Sequence, residues 1–464
     1  SHNNFLGTYA GKCASGSGSN NNFFGLCAGY CNTTGRDNNF FGYNAGYSNT
    51  TGGCNNMIGN GAGQCATVTG FNNNFIGTLA GKCASGFGND NNFFGRHAGN
   101  YNTEGDYNNF FGSFAGYCNT EGSHNNFFGY NSGYYNTTGG DNNFFGCYAG
   151  AYNTTGGDNN FLGNKAGQYN TTGNSNNFLG DCAGYCNTEG EYNNFFGSFA
   201  GRYNTTGGYN NFIGHQGGYS NTTGCYNNFF GNLAGYYNTT GCSNNFIGNN
   251  AGYQNTTGCY NNFIGHYGGY NNTTGCSNNF FGTYAGYSNT TGSRNNFFGR
   301  DAGCDQTTGN NNVAIGYSVQ LPNTTGSNQL VIGVGASAWI NGDSSFNIGI
   351  GTTNPTSKLH VIGEVTATDY NSTSDARLKN NIQIIDDPLE KVLQINGVSF
   401  NWIKDNRPSL GVIADNIQEI LPELVSDTDP KTVNYNGLIG LLIEVVKEQQ
   451  AQIESLNERL TKLE

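Results

Sequence analysis

Asn38-Asn39-Phe40-Phe41-Gly42-Tyr43-Asn44-Ala45-Gly46-Tyr47-Ser48-Asn49-Thr50-Thr51-Gly52 is one copy of a motif that fills three quarters of the chain. The next copy begins at Asn55, and Asn-Asn-Phe-(Phe/Ile/Leu)-Gly recurs from Asn3 to Gly299. The motif glycines from Gly7 to Gly95 lie 17 or 18 residues apart, and from Gly95 to Gly299 the spacing is always 17. Two degenerate copies end at Gly316 and Gly333. A fixed period of this size signifies a repeat architecture in which each copy stacks on its neighbours. Helices fit badly, because each motif glycine costs a helix interior about 1 kcal/mol. Short apolar clusters bounded by Gly and Asn read instead as strands and tight turns. One copy suffices for one coil of a β-solenoid with two or three short strands. At about 4.8 Å per coil, the stack would form a rod on the order of 95 Å long.

The slots within a copy carry different physical demands. The first Phe of the pair is replaced only by Met57, whereas the second slot accepts Phe, Ile or Leu. Adjacent strand residues face opposite sides, so one ring fills the coil interior and the other faces outward. A continuous outward column of this kind is a large apolar stripe that a partner chain would cover. The expectation is packing along an oligomer axis, threefold by preference. The Asn pairs should stack as amide ladders. Glycines should sit at corners that need positive φ or close backbone approach. Asn-Thr-Thr-Gly fits a type I turn.

Composition agrees. The 464 residues include 75 Gly, 33 Phe and 30 Tyr but only 6 Pro, 2 Trp and 1 Met. Collagen is excluded by the scarcity of proline, and disorder by an aromatic content of 14%. A net charge of −12 argues against a nucleic-acid partner. No run of apolar residues is long enough for a membrane-spanning helix. Residue 1 falls inside a repeat copy, so the sequence reads as the C-terminal part of a longer polypeptide. Charged residues number 21 up to residue 353 and 27 in the much shorter remainder, which marks a boundary. The division expected is a repeat shaft over 1–335, a β neck over 336–373 and a separate domain over 374–464, with a coiled coil at 436–464.

Three further features have competing readings. Cys225, Cys242, Cys259 and Cys276 stand at the repeat interval, and Cys13, Cys31, Cys65, Cys83, Cys118 and Cys186 share another slot. They read foremost as small filler, with disulfides and metal as alternatives; zinc-ligand spacing is absent. Asn-Thr-Thr occurs 12 times and matches the glycosylation sequon, although the turn itself explains it. Thr and Tyr columns could bind ice or polysaccharide, but any solenoid produces such columns. No carboxylate pair or Asp-rich loop recurs at a fixed slot, so glycosidase and calcium chemistry have no support. Neither a cofactor nor a metal is expected.

The repeats resemble the β-roll heads of trimeric autotransporter adhesins and the shafts of tail fibres, with Asn312-Val313-Ala314-Ile315-Gly316 nearest the adhesin unit. Downstream come Thr373-Ser374-Asp375-Ala376-Arg377-Leu378-Lys379, Phe400-Asn401-Trp402, Gly411-Val412-Ile413-Ala414-Asp415, Leu421-Pro422-Glu423-Leu424-Val425 and Val433-Asn434-Tyr435. Order and content resemble the self-cleaving intramolecular chaperone domain of endosialidase-type tailspikes, phage tail fibres and the myelin regulatory factor. The resemblance implies a Ser-Lys dyad with Ser374 as nucleophile and Lys379 as general base, and Asp375 and Arg377 as positioning candidates. A Ser hydroxyl needs a base to take its proton, and a Lys serves only when desolvation favours its neutral form. Attack of Ser374 on the Thr373 carbonyl passes through a five-membered ring, so scission is expected between Thr373 and Ser374. Without the resemblance the same residues would read as a surface serine and a helix-capping aspartate.

Two helices are expected here. Asp386-Asp387-Pro388 should open a short one, with an acidic cap and proline in the first turn. Ile439, Leu442, Val446, Gln449, Ile453, Leu456, Leu460 and Leu463 alternate at spacings of three and four, an a/d seam. The fold class is therefore mostly β: a homotrimeric solenoid shaft, then a small α+β chaperone ending in a coiled coil. The implied function is a trimeric fibre or spike of a virion, with a host receptor or glycan as partner. A bacterial surface adhesin and an ice- or glycan-binding solenoid are the alternatives.

Overall fold

The computed structural model describes residues 2–463 apart from 16, 66–68, 85 and 87, and the chain divides into two compact units, Ser1–Gly363 and Glu364–Glu464. In the first unit each copy supplies one strand of three residues, from β1 (Asn4–Leu6) to β19 (Val313–Ile315). Each strand pairs in parallel with the next, and the register joins equivalent positions, as in Asn143↔Asn160, Phe144↔Phe161 and Phe145↔Leu162. A slip of one residue would turn every buried ring to solvent, so the pattern itself sets the register.

The first Phe of each pair is the apolar core. Phe23, Phe40, Phe93 and their successors to Phe297 are almost fully buried, beside the alanines of the Ala-Gly pairs. Their rings stack along the solenoid axis with centroids 4.8 Å apart, as between Phe110 and Phe127. Each buried ring contributes about 2 kcal/mol from area alone, and each stacked pair about 1 kcal/mol more. The second slot is half-exposed, with Phe41 at 38% and Ile58 at 40%. The two sides of the strand are therefore divided as the alternation requires.

The rest of the interior is amide. The first Asn of each Asn-Asn pair and the Asn of each Asn-Thr-Thr turn are buried throughout the regular copies. Asn136 Nδ2 donates to Asn119 Oδ1 at 2.6 Å and to its own turn's Gly139 carbonyl at 2.9 Å. Asn125 Oδ1 accepts the Asn142 backbone N–H at 3.0 Å, while Asn125 Nδ2 donates to the Gly139 carbonyl at 2.8 Å. The second Asn of the pair forms a half-buried ladder, Asn126 Nδ2 donating to Asn143 Oδ1 at 2.8 Å. This ladder donates toward the C-terminal end and the Asn136 ladder toward the N-terminal end, so their dipoles oppose. Burial settles the sequon question as well. From Asn32 to Asn289 every Asn-Thr-Thr asparagine is fully buried, so no ridge of glycans can grow on the folded coils.

Each coil holds one strand rather than the two or three expected. The cause is four left-handed residues per coil, of which only two are glycine. In the coil 125–141 these are Gly129 (φ +146), Asn131 (+55), Gly133 (+58) and Asp141 (+58). A left-handed L-residue costs about 1 kcal/mol, and here the turn it makes keeps the backbone N–H along the axis. Asn131 N–H donates to the Ser113 carbonyl at 3.1 Å and Asp141 N–H to the Ser123 carbonyl at 3.0 Å. A Cβ on Gly129 would overlap the Gly146 carbonyl of the next coil, so glycine is required there for space as well as for φ.

The cysteines are all unpaired. In the Cys225 column the sulfur acts as a hydrogen-bond acceptor. Cys242 Sγ accepts the Cys225 N–H at 3.2 Å, and Cys259 Sγ accepts the Cys242 N–H at 3.1 Å. In the same slot Ser293 Oγ accepts the Cys276 N–H at 3.0 Å, whereas Gly140, Gly157 and Gly208 fill it without any acceptor side chain. Among the described residues no group of three or more His, Cys, Asp or Glu could hold a metal ion.

After β19 the pattern ends. β20 (Leu330–Val334) continues the parallel sheet, β21 (Ser337–Gly342) turns back antiparallel to it, β22 (Ile348–Ile350) pairs antiparallel with β21, and β23 (Leu359–Val361) runs parallel to β22.

The second unit contains α1 (Pro388–Gln394), the antiparallel pair β24 (Gly397–Asn401) and β25 (Pro408–Val412), α2 (Ala414–Ile420) and α3 (Tyr435–Thr461). Proline opens α1 as expected, but Asp387 sits left-handed at φ +44 and its side chain makes no capping bond. The core is small: among the described residues only Ile417, Leu421, Leu441 and Val445 are buried. Leu378, Ile382, Ile384, Leu393, Ile403 and Leu410 all face solvent. No helix among the described residues is long and apolar enough to cross a membrane.

Candidate self-cleavage site

Ser374 and Lys379 meet across a single 3₁₀ turn, Ala376–Leu378. Asp375 caps that turn, its Oδ1 accepting the Arg377 N–H at 2.9 Å. The cap orients Asp375 so that Arg377 grips the same carboxylate with Nε at 3.1 Å and Nη2 at 2.6 Å. The Arg377 guanidinium holds the Asp375 carboxyl below its ordinary value, and Arg377 is raised by the same bonds. The pair is exposed, so its role is geometric: it closes the turn that returns Lys379 to Ser374. Lys379 Nζ donates to Ser374 Oγ at 2.7 Å. All four side chains named from the sequence are thus brought together, with Asp375 and Arg377 bonded to each other rather than to the dyad.

The site is open. Ser374, Lys379 and Thr373 are exposed in this single chain. Desolvation favours the free amine that a base requires. Among the described residues nothing covers the Lys379 amine. One neighbour was not foreseen. Asn436, in the first turn of α3, donates from Nδ2 to Ser372 Oγ at 2.9 Å and so tethers the segment that leads into Thr373 and Ser374. The two residues are 64 apart in sequence, and no local signal announces the contact.

α3 has two apolar faces. Leu441 and Val445 are buried within the unit, packed with residues such as Leu424 and, from α1, Leu389. Ile439, Leu442, Val446, Ile453, Leu456 and Leu460 form the other face, which is exposed along its length, and Leu463 is exposed just beyond the helix end.

Residues 374–426 match the family described as Chaperone of endosialidase. The match begins at Ser374 itself. The chain is also similar to the long tail fiber protein Gp37 of Enterobacteria phage K3, 31% identical over 113 residues, which is 22% of this chain and 9% of that protein. It is likewise 31% identical over 113 residues to Gp37 of Enterobacteria phage T2, covering 22% of this chain and 8% of the relative. Gp37 of Salmonella phage S16 is 27% identical over 114 residues, covering 22% of this chain and 15% of the relative. The chain therefore spans a small part of the length of the curated relatives it matches. No solved structure matches. The chaperone segment contains the 3₁₀ turn, α1, the β24–β25 pair and α2, and it carries Ser374 and Lys379 at its N-terminal edge.

Proposed function

We propose that this chain is the distal part of a phage tail fibre: a solenoid shaft assembled as a homotrimer, followed by a chaperone that aligns the three chains and is then cut away. The observation that carries the proposal is the Ser374–Lys379 contact at the first residue of the chaperone match. Solenoid coils are alike, so three chains can pair one coil out of register at little local cost. A terminal domain that associates first removes that error. The small core of the second unit and the open seam on α3 support association through this unit, because burial of that seam by two further copies would complete a core the single chain lacks. The same association would cover the dyad.

In the cleavage step Ser374 Oγ attacks the Thr373 carbonyl carbon while Lys379 takes the hydroxyl proton. The five-membered intermediate collapses to an ester, the Ser374 nitrogen leaving as an amine with the proton that Lys379 returns. Water then hydrolyses the ester, and the peptide bond between Thr373 and Ser374 is broken. Loss of the aligning domain leaves the shaft without its template, so its persistence becomes kinetic. Attachment to a cell-surface receptor at the host is part of the same proposal. A denaturing gel tests the cleavage directly. Wild type under assembling conditions should release a fragment of about 90 residues, as counted from Ser374 to the C-terminus, and Ser374→Ala should not. A fragment of that size from Ser374→Ala, or none from assembled wild type, overturns the assignment.

A further inference from the structure

The tyrosine column that follows each Ala-Gly pair is broken in several coils, by Lys82, Gln168 and Arg202 among others, and at Ala151 it is reduced to a methyl group. Tyr117 and Tyr134 stack with centroids 4.9 Å apart, but the next coil carries Ala151 where the motif has Tyr. A second column, two residues before each Ala-Gly glycine, runs Phe114, Asn131, Tyr148, so the middle coil lacks a ring there too. Two missing rings in adjacent coils leave a cavity of about 360 Å³, within the range of small-ligand sites. Tyr130 and Tyr148 meet edge-on at 5.5 Å and 79°, and Tyr134 and Tyr135 at 4.5 Å and 70°. Tyr152 stacks beneath Tyr135 at 5.1 Å. The walls are therefore aromatic faces set at several angles around a hollow, not one flat slot.

Asn131 supplies the polar point. Asn131 lines the cavity, and its Oδ1 is buried without a hydrogen-bond partner. An orphaned buried acceptor costs about 1–3 kcal/mol, a deficit that a donor from a ligand would remove. No charged side chain lines the cavity.

We propose that this cavity binds a neutral hexose unit of a surface polysaccharide. A pyranose ring offers C–H faces that lie against aromatic rings and hydroxyls on its rim that donate to an amide oxygen. A non-planar ring suits walls that stand at steep angles, and a neutral one suits a lining without charge. The site belongs to the shaft alone and goes beyond the assembly and cleavage proposed above, so it stands whether or not Ser374 is a nucleophile.

The test uses the full chain on an array of neutral, N-acetylated and acidic oligosaccharides, with wild type beside Ala151→Tyr and Asn131→Leu. Ala151→Tyr restores the ring that the two preceding coils carry, and Leu already occupies the Asn131 position left-handed at Leu79 and Leu233. Both variants should melt no lower than wild type. The expected result is wild-type binding to neutral hexose oligosaccharides and at least tenfold weaker binding by either folded variant. Binding by neither wild type nor variants, binding that prefers acidic glycans, or equal binding by wild type and a folded variant overturns the proposal.

Discussion

The buried amide column makes the sharpest energetic prediction. In Asn136→Ala three hydrogen bonds disappear: those from Nδ2 to Asn119 Oδ1 and to the Gly139 carbonyl, and that from Asn153 Nδ2 to Asn136 Oδ1 at 2.7 Å. The consequences differ by partner. The Gly139 carbonyl keeps its bond from Asn125 Nδ2, and Asn153 Nδ2 keeps its bond to the Gly156 carbonyl. Asn119 Oδ1 and one hydrogen of Asn153 are left without a partner in a region closed to water. At about 1–3 kcal/mol for each orphan, the local cost is about 4 kcal/mol. Asn143→Ala removes two ladder bonds, from Asn126 Nδ2 and to Asn160 Oδ1, where water can replace the lost partner, and should cost about 1 kcal/mol in all. Hydrogen exchange read by mass spectrometry reports local opening. Because each coil touches only its neighbours, the effect should be confined to peptides spanning residues 119–156 and be absent near Asn272. Protection there should fall by roughly a thousandfold in Asn136→Ala and by less than tenfold in Asn143→Ala. Equal losses in the two variants would refute the reasoning that the amide interior is dry and fully bonded.

Three further outcomes follow from the same geometry. Gly129→Ala places a Cβ against the Gly146 carbonyl at φ +146 and should lower the melting temperature, whereas Gly140→Ala, at ordinary φ with its nearest atom 3.1 Å away, should lower it far less; equal melting curves would contradict the close approach. Leu456→Asp on the open face of α3 should convert an oligomer to a monomer in light scattering without reducing helix content, since Leu456 is exposed in the single chain; an unchanged mass would remove the seam from the association. Burial, then the neighbouring Asp305 carboxylate, pushes the Cys304 thiol up to about 11. Only the thiolate is alkylated, so at pH 8 Cys304 should react far more slowly than the exposed Cys147, with its rate still climbing as pH rises toward 11; matched rates at pH 8 would count against the burial.

Much of this architecture is legible in a single copy. Alternation within Asn39-Phe40-Phe41 fixes which ring is buried, because a three-residue strand has only two faces. The glycine after it announces a corner. The charge step and the segments from Ser374 to Tyr435 announce the second unit, and the pairing of Ser374 with Lys379 is expected only through the resemblance to the self-cleaving chaperone, because the spacing alone fits a surface serine and a capping aspartate. Other features leave no mark in residue type. The left-handed position before each Asn-Asn pair holds Asp37, Cys54, Tyr107 and Ser243 in different coils, since the required N–H direction is a backbone property any side chain satisfies. The turn asparagine looks like a surface residue by composition, yet its carboxamide is the only group of that size that can bond both the coil before it and its own turn. Asn436 reaches Ser372 through tertiary packing alone. The cavity at Ala151 and Asn131 arises from two small residues in adjacent coils, visible only once the columns are aligned.

Electron cryomicroscopy of the shaft tests the stacked-coil architecture most directly. The expected map has axial rungs 4.8 Å apart, each accounting for one copy of 17 residues, or 18 in three of the early copies, with stacked ring density at the first Phe of each pair. Rungs that each consume a different number of residues, or helical density over residues 22–298, would contradict it.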